Sequence, residues 1–397
     1  MLNRFGMFVH FGLYASLGYH EQALARQSLD RNAYERLRES FCPDRGAPEE
    51  WVLLAKRAGM KYLCFTTKHH DGFCLWDTKT TDYGVMHTPY GRDLLAELAD
   101  ACRRHGVKLS LYYSNPDWHH PNAYNALSSH QWRSVSPELA DREAYLAYVR
   151  AQITELLTGY GEIYSLFWDI PPQFEDRSMN ELVRRLQPGI VINDRGYDEG
   201  DFSTPEREIP QGSRFTKMTE ACQSVGAVSW GYRENEDYYS VRYLTSSIDH
   251  VMAMGGSYLL NVGPMANGHI SAPAVEIVER VGEWYRRTEG VLEGNEADPF
   301  SYQVSVDDPF DAFVKDGKTY LHFYRGLSCR TLTLLTSPGT PRAVRLQNDG
   351  RMLGIRVGCL PRPFDEKTGR ELGPFVSITD IPVDAYSGEP IMLEILW

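Results

Sequence analysis

A strand followed by a helix recurs along residues 7–287, and this repeat restricts the fold more than any other feature. Apolar strands are predicted at 62–67, 107–114, 163–168 and 258–262, and amphipathic helices at 93–105, 139–157 and 273–287. This alternation is typical of parallel strands surrounded by helices. We therefore predict an α/β fold with a TIM-type (β/α)8-like barrel, regular or distorted, as a catalytic domain over residues 1–295.

The pattern changes after Asn295. Short alternating runs follow at 320–324, 331–335, 343–347, 353–357 and 391–396, with Gly, Pro and Asp between them. Alternation with frequent turn residues is typical of an antiparallel β-sandwich. Residues 296–397 are therefore predicted to form a C-terminal β-sandwich domain.

Composition excludes several classes of function. The chain has 397 residues and a formal net charge of −12, which argues against a nucleic-acid partner because phosphate binding needs an excess of Lys and Arg. No apolar run reaches membrane-spanning length, so no membrane partner is expected. The seven cysteines include no C-x-x-C pair, which excludes a zinc ribbon. We expect a cytoplasmic protein, although a removed leader would leave the same trace, and homo-oligomer formation stays open.

Polar residues collect where the predicted strands end. The segment 68–76 places two histidines, a carboxylate, a glycine and two aromatic residues directly after the strand at 62–67. In barrels of this type the ends of several strands together build the binding site. The residues expected on this face are His10, His69, His70, Tyr112, Asp169, Arg195 and Asn261.

Asp169 is the strongest candidate for chemistry because it ends a hydrophobic strand, where its charge must be matched by a partner such as Arg195. A retaining glycosidase needs a second carboxyl group about 5–5.5 Å from the first. The irregular stretch after Arg195 offers several, and the residue pattern alone does not choose among them: Asp201, Glu206, Glu208 and Glu220.

Several ordered motifs resemble the α-L-fucosidases of glycoside hydrolase family 29. They lie at 4–14, 68–76, 88–93, 111–114, 192–195, 200–206, 229–232 and 255–264. The resemblance covers roughly residues 4–290, which is nearly the whole predicted barrel. The last hundred residues resemble the family's sandwich domain in pattern alone.

The resemblance implies a retaining, exo-acting fucosidase that acts on α-L-fucosyl groups of glycans and needs no cofactor or metal. The family's nucleophile corresponds to Asp169, and the D-F-x-T-x-E motif at 201–206 favours Glu206 as the general acid/base. The family's fucose-binding residues correspond to His10, Glu21, His69, His70, Tyr112, Arg195 and Trp230. Trp230 and Phe167 could supply the apolar notch that a 6-deoxy sugar requires.

Three positions depart from the family pattern. Phe11 and Gln22 stand where tryptophans are usual, and 170–172 is Ile-Pro-Pro instead of a glycine-led loop. All three are expected to alter the lining of the mouth of the site, and with it the preference for a leaving group.

Two other functions compete with the fucosidase. A metal-dependent hydrolase could use His10, His69 and His70, but adjacent histidines on a continuing strand would point to opposite sides. A fucose- or glycan-binding protein that has lost catalysis is the other alternative, and the presence of both Asp169 and Glu206 argues against it.

Overall fold

The computed structural model describes residues 4–123, 140–172, 174–207, 214–358, 364–365, 370–371 and 375–397. The chain packs as two compact units. The first comprises Met1–Glu208, Lys217–Tyr239 and Tyr258–Glu279, and the second comprises Ile209–Thr216, Ser240–Ser257 and Arg280–Trp397. The predicted domain boundary after residue 295 stays a prediction.

Helices and strands alternate through the first three hundred or so residues of the described chain. The strands are β1 (Phe5–Val9), β2 (Tyr62–Lys68), β3 (Lys108–Ser114), β4 (Ser165–Asp169), β5 (Val191–Ile192), β6 (Glu220–Ser224) and β7 (Ser257–Val262). The helices are α1 (Ala23–Arg26), α2 (Arg31–Glu35), α3 (Ala47–Arg57), α4 (Leu94–His105), α5 (Arg142–Gly159), α6 (Ser178–Leu186), α7 (Val241–Ala253) and α8 (Ala272–Leu292). Short 3-10 turns lie at Leu13–Leu17, Arg36–Ser40, Val85–His87 and Val383–Tyr386.

The seven strands form one sheet in the order β5-β4-β3-β2-β1-β7-β6. The pairs from β5 through β1 to β7 are parallel. Between the edge strands β5 and β6 lies the segment 193–207, which we call the seam. Isolated bridges join its residues to each other, to Thr219 just before β6, and to β6 itself: Asn193 with Phe202, Ser203 with Thr219, and Glu206 with Cys222. The sheet confirms the (β/α)8-like barrel, with a seam in place of regular pairing between β5 and β6.

Local sequence explains where three of the long helices, α4, α5 and α7, begin. The side chains of Asp93, Asp141 and Ser240 each accept a hydrogen bond from a backbone N–H of the following first turn, at 2.8, 2.9 and 3.1 Å. Such N-caps satisfy donors that the helix itself leaves without partners. The strand β2 is buried along its whole length, as expected for a sheet that helices cover.

The second unit contains antiparallel sheets. Its strands are β8 (Glu296–Ala297), β9 (Asp311–Lys315), β10 (Lys318–Phe323), β11 (Leu332–Leu334), β12 (Ala343–Leu346), β13 (Gly354–Val357), β14 (Phe364–Asp365), β15 (Arg370–Glu371), β16 (Val376–Thr379) and β17 (Ile391–Leu396). They form sheets of five strands (β12-β17-β10-β9-β8), three strands (β11-β16-β13) and two strands (β14-β15). A buried apolar core contains side chains of both larger sheets, such as Leu321, Leu393, Leu332 and Ile378. This arrangement confirms the predicted antiparallel sandwich.

The structure adds elements that the sequence did not predict. Strand β6 lies inside the stretch interpreted as irregular, and β8, β9 and β16 were not expected. The predicted start of the long helix at Leu139 lies outside the described residues. Among the residues described, no helix is both long enough and apolar enough to cross a membrane.

Candidate active site

A small cavity of about 90 Å³ lies at the carboxyl ends of the barrel strands. It is lined by Phe8, His10, Glu21, Gln22, His69, His70, Tyr112, Phe167, Asp169, Ile170, Arg195, Glu206, Cys222 and Trp230. All nine residues named as catalytic or substrate-binding from the sequence are among them. A larger groove of about 660 Å³, between the ends of α4 and α5, contains no histidine and brings no such set of polar groups together.

Asp169 is the last residue of β4, and its carboxylate is held from two sides. The Tyr112 hydroxyl donates a hydrogen bond to Oδ2 at 2.7 Å, and Nη1 of Arg195 donates one to Oδ1 at 3.1 Å. Nε2 of His70 lies 3.7 Å from Oδ2. The side chain is 13% exposed, so these donors replace much of the water that would otherwise solvate the charge. The arrangement keeps an ionised carboxylate at the floor of the cavity.

Ile170 follows Asp169 in an unusual backbone conformation. Its φ of +61° lies in the left-handed region, which a β-branched side chain rarely adopts. Asn115 holds this turn, since its amide nitrogen donates to the Ile170 carbonyl at 2.6 Å and its backbone N–H donates to the Asp169 carbonyl at 3.0 Å. The turn ends β4 at Asp169 and brings the Ile170 residue into the lining of the cavity.

Arg195 links the seam to the nucleophile candidate. Its Nε and Nη2 donate to the Thr204 hydroxyl and carbonyl at 2.8 and 2.7 Å, which fixes the plane of the guanidinium group. Nη1 then donates to Asp169 at 3.1 Å and to Glu206 at 2.9 Å. Burial alone would lower the pKa of Arg195, but the two carboxylates raise it above its ordinary value. The arginine is therefore a permanent positive charge between two acidic side chains.

Glu206 comes from the seam and not from a regular strand. It pairs with Cys222 of β6, where the backbone N–H of Arg207 donates to the Cys222 carbonyl at 2.9 Å. Its side chain is 41% exposed, against 13% for Asp169. Of the two carboxylates, Glu206 therefore has the readier access to water and to a leaving group.

The other three acidic candidates have different situations. Asp201 accepts two hydrogen bonds from Arg184, at 3.0 and 3.1 Å, and one from the Ile192 backbone at 2.8 Å. Glu220 is buried and accepts a hydrogen bond from the Tyr62 hydroxyl, and burial raises its pKa to about 7. Glu208 lies outside the described residues. Neither Asp201 nor Glu220 lines the cavity.

His69 and His70 both line the cavity because β2 ends at Lys68, before the alternation of a strand could send them to opposite sides. Their ring centroids are 4.2 Å apart. The His69 ring lies parallel to the Tyr112 ring, with an interplanar angle of 5° and centroids 5.7 Å apart. In the described part of the chain, no group of three or more His, Cys, Asp or Glu side chains is arranged to hold a metal ion.

His10, Trp230 and Glu21 form another part of the cavity wall. The rings of His10 and Trp230 stack with centroids 5.4 Å apart, and burial lowers the pKa of His10 to about 4. Oε2 of Glu21 accepts hydrogen bonds from the Ser229 hydroxyl and the Trp230 backbone N–H, each at 2.9 Å. These contacts fix the tryptophan loop against the carboxylate.

The departures from the family pattern have different consequences. Gln22 and Ile170 line the cavity, as expected. Phe11 does not, because it is buried and its ring packs against Phe41 and Trp51, with centroids 5.5 and 5.4 Å away. The expectation that Phe11 alters the mouth was therefore wrong.

Sequence reasoning missed two of the lining residues, Phe8 and Cys222, and it missed Ser114, which supports the lining. Asn261 was expected on this face, and Gln22 and Ile170 were expected to alter the lining. Ser114 and Asn261 contact the histidine rings from behind, at 2.7 and 2.6 Å. Both lie at the carboxyl end of a barrel strand, which is where the sequence predicted the residues of the site.

A (β/α)8-like barrel with two carboxylates, histidines and aromatic rings in one small cavity has the construction of a glycoside hydrolase. The family model for alpha-L-fucosidase matches residues 2–289, and the chain belongs to that family.

Individual relatives agree with this assignment. Alpha-L-fucosidase isoenzyme 1 from Paenibacillus thiaminolyticus is 31% identical, with a TM-score of 0.85 and coverage of 99% of this chain and 96% of that one. Tissue alpha-L-fucosidase of Homo sapiens is 28% identical over 318 residues, which cover 71% of this chain and 66% of the human protein. An alpha-L-fucosidase of Bacteroides thetaiotaomicron, solved as a trapped covalent intermediate, shares the fold at 23% identity and a TM-score of 0.81, covering 99% of this chain and 93% of that one. The match thus spans slightly less than two thirds of the human relative's length.

Proposed function

We propose that this protein is a retaining, exo-acting α-L-fucosidase that removes terminal α-L-fucosyl groups through a covalent intermediate on Asp169, with Glu206 as general acid/base. One observation carries the proposal. Asp169 Oδ1 and Glu206 Oε2 accept hydrogen bonds from the same atom, Nη1 of Arg195, at 3.1 and 2.9 Å. Two oxygens that share this donor cannot be more than about 6 Å apart, and carboxyl groups held this close together suit the short separation of retaining enzymes better than the wider one of inverting enzymes.

The first step forms a bond between Asp169 and the anomeric carbon. As the carboxylate oxygen attacks, Glu206 gives its proton to the glycosidic oxygen, and the aglycone leaves as an alcohol. Glu206 must therefore hold a proton and loosen its contact with Arg195 when the substrate binds, and it regains that proton from water in the second step. Its exposed position favours that exchange.

The second step returns Asp169 to the carboxylate. Glu206, now ionised, removes a proton from a water that attacks the anomeric carbon, and the bond to Asp169 breaks. Two inversions give a product with the original anomeric configuration. The covalent intermediate trapped in the Bacteroides thetaiotaomicron relative supports this course.

The remaining lining residues suit a 6-deoxy sugar. His10, His69, His70 and Glu21 offer groups that hydrogen-bond to hydroxyls, and Tyr112 and Arg195 hold the nucleophile. Phe8, Phe167 and Trp230 pack in one apolar cluster beside them, which suits the methyl group of fucose.

The decisive experiment is hydrolysis of 4-nitrophenyl α-L-fucoside by wild type, Asp169→Ala and Glu206→Ala, with azide as an added nucleophile. Asp169→Ala should lose turnover and yield β-fucosyl azide, because azide replaces the nucleophile in a single inversion. Glu206→Ala should yield the α-azide, because azide then intercepts the covalent intermediate. If the wild type binds fucose but hydrolyses neither this substrate nor fucosylated oligosaccharides, the protein is a glycan-binding member of the family and the proposal fails.

A further inference from the structure

We infer that Ser114 and Asn261 are positioning residues that hold His70 and His10 in one tautomer, with the proton on Nδ1. In this state each ring presents Nε2 as a hydrogen-bond acceptor for the hydroxyls of the bound sugar. The inference rests on the proposed function for the identity of the sugar, whereas the tautomers follow from the protein's own hydrogen bonds.

The Ser114 hydroxyl has a single proton, and its partners decide where that proton goes. The hydroxyl oxygen lies 2.7 Å from the Pro116 carbonyl, which can only accept. The hydroxyl therefore donates to Pro116 and must accept at its other contact, which is Nδ1 of His70 at 2.7 Å. Because both Ser114 and the ring nitrogen are buried, an unsatisfied arrangement of two facing lone pairs would be costly. Nδ1 of His70 consequently carries a hydrogen.

Asn261 makes the same assignment for His10 by a different route. Its amide nitrogen lies 2.7 Å from the Trp230 carbonyl and 2.9 Å from the Ser224 hydroxyl. A carbonyl only accepts, so this end of the amide is the NH2 group and the other end is the oxygen. That oxygen lies 2.6 Å from Nδ1 of His10, which must therefore donate. The lowered pKa of His10, about 4 through burial, leaves Nε2 without a proton near neutral pH.

The arrangement has a consequence for recognition. Nε2 of His70 lies 3.7 Å from Oδ2 of Asp169. In the inferred neutral tautomer, with the hydrogen on Nδ1, this ring nitrogen and the carboxylate are therefore two hydrogen-bond acceptors at neighbouring positions. A sugar hydroxyl that enters there finds an acceptor for its proton, whereas a fluorine or a methoxy group has no proton to give. The site is thereby selective for sugars with free hydroxyls facing the two histidines.

The test measures which ring nitrogen of each histidine carries the hydrogen, by nitrogen NMR. In full-length protein labelled with 15N-histidine, His10→Gln and His70→Gln identify the two sets of ring signals. At pH 7 we expect Nδ1 of both rings to show the shift of a protonated nitrogen and Nε2 that of a bare one. Ser114→Ala should release His70 to a mixture of tautomers with His10 unchanged, and Asn261→Ala should do the reverse. Ser114→Thr is the matched control, because it keeps the hydroxyl and with it the Nδ1–H tautomer of His70.

A kinetic measurement separates positioning from a merely structural role. Ser114→Ala should raise KM for the aryl fucoside by roughly tenfold, the value of one hydrogen bond to a substrate hydroxyl, with a smaller change in kcat. Wild-type signals that place the proton on Nε2 of either ring, or on both nitrogens, would overturn the inference even if the protein hydrolyses fucosides. The expected tautomers in a protein without hydrolysis would instead count against the proposed function alone.

Discussion

Asp169 and Glu206 accept hydrogen bonds from the same atom, Nη1 of Arg195. The other two nitrogens of that guanidinium group are fixed on Thr204. One side chain therefore sets the distance between the two carboxylates and stabilises negative charge on both. The planar shape of the Arg195 guanidinium group, and not its charge alone, is therefore what holds the two carboxylates in place.

We expect Arg195→Lys to lower kcat/KM for the aryl fucoside by about 100-fold or more, because an ammonium group cannot serve Thr204 and both carboxylates from one rigid plane. Steady-state kinetics measure the effect. Arg184→Lys is the matched control, since Arg184 makes a bidentate pair with Asp201 away from the cavity, and its kcat/KM should stay within about threefold of wild type. Equal losses in both variants would contradict the special role of Arg195.

Tyr112→Phe removes one of the hydrogen bonds to Asp169 while keeping the ring stacked on His69. A hydrogen bond to a charged group contributes about 1.5–3 kcal/mol, so kcat/KM should fall roughly 10- to 150-fold. Tyr113 is the neighbour on β3 whose hydroxyl contacts Lys68 and Gln152 instead. Tyr113→Phe should lower the melting temperature and leave kcat/KM close to wild type, and the reverse pattern would refute this assignment.

Glu220 should make the protein less stable as pH rises. Its pKa is raised by burial to about 7 in the folded chain, against an ordinary value of 4.5. The folded state thus holds the proton more tightly, so the contribution to stability is complete below about pH 4.5 and is lost as pH rises through 7, on the order of 3 kcal/mol in all. Glu220→Gln should therefore raise the melting temperature relative to wild type at pH 8 and make little difference at pH 4.5. An equal difference at both pH values would show that burial of this charge is not the cause.

Lys68 and Asp117 form a buried ion pair at 2.9 Å, with side chains 0% and 1% exposed. Asp117 also accepts hydrogen bonds from the backbone N–H groups of His119 and His120, so it joins the loop after β3 to the end of β2. Lys68→Met leaves this carboxylate buried without its cation, and we expect a loss of about 3–5 kcal/mol in unfolding free energy. Thermal unfolding of Lys68→Met beside Lys79→Met measures it, since Lys79 pairs with Asp77 at the surface and should contribute little. Similar melting temperatures for the two variants would contradict the prediction.

The sequence predicted most of the barrel because its buried strands are apolar and the helices between them have an amphipathic pattern. Strand β6 was missed because Glu-Ala-Cys-Gln-Ser has no β-branched or aromatic residue, and tertiary pairing outweighs its local preference. In the site, periodicity located Asp169 and the histidines at strand ends. Glu21, Glu206 and Trp230 lie on irregular segments that periodicity does not place, so they depended on the family resemblance.

The contacts of Ser114 and Asn261 with the two histidines could not be predicted from the sequence, although Asn261 itself was expected on this face. Ser114 and Asn261 act through contacts across the sheet, His70 with Ser114 and His10 with Asn261, which span 44 and 251 residues along the chain. A periodic pattern in one sequence predicts the local structure of residues that are close together along the chain. It does not report which side chains meet after the sheet has curled.

The two carboxylates are attached to the sheet in different ways. Asp169 belongs to a strand paired with β3 on one side and β5 on the other, and a change of length there would shift the register of the sheet. Glu206 belongs to a segment attached through isolated bridges, where residues can be gained or lost while the strands beneath stay in place. A change of length in the seam would thus move Glu206, and with it Arg195, relative to Asp169 while the strands keep their register.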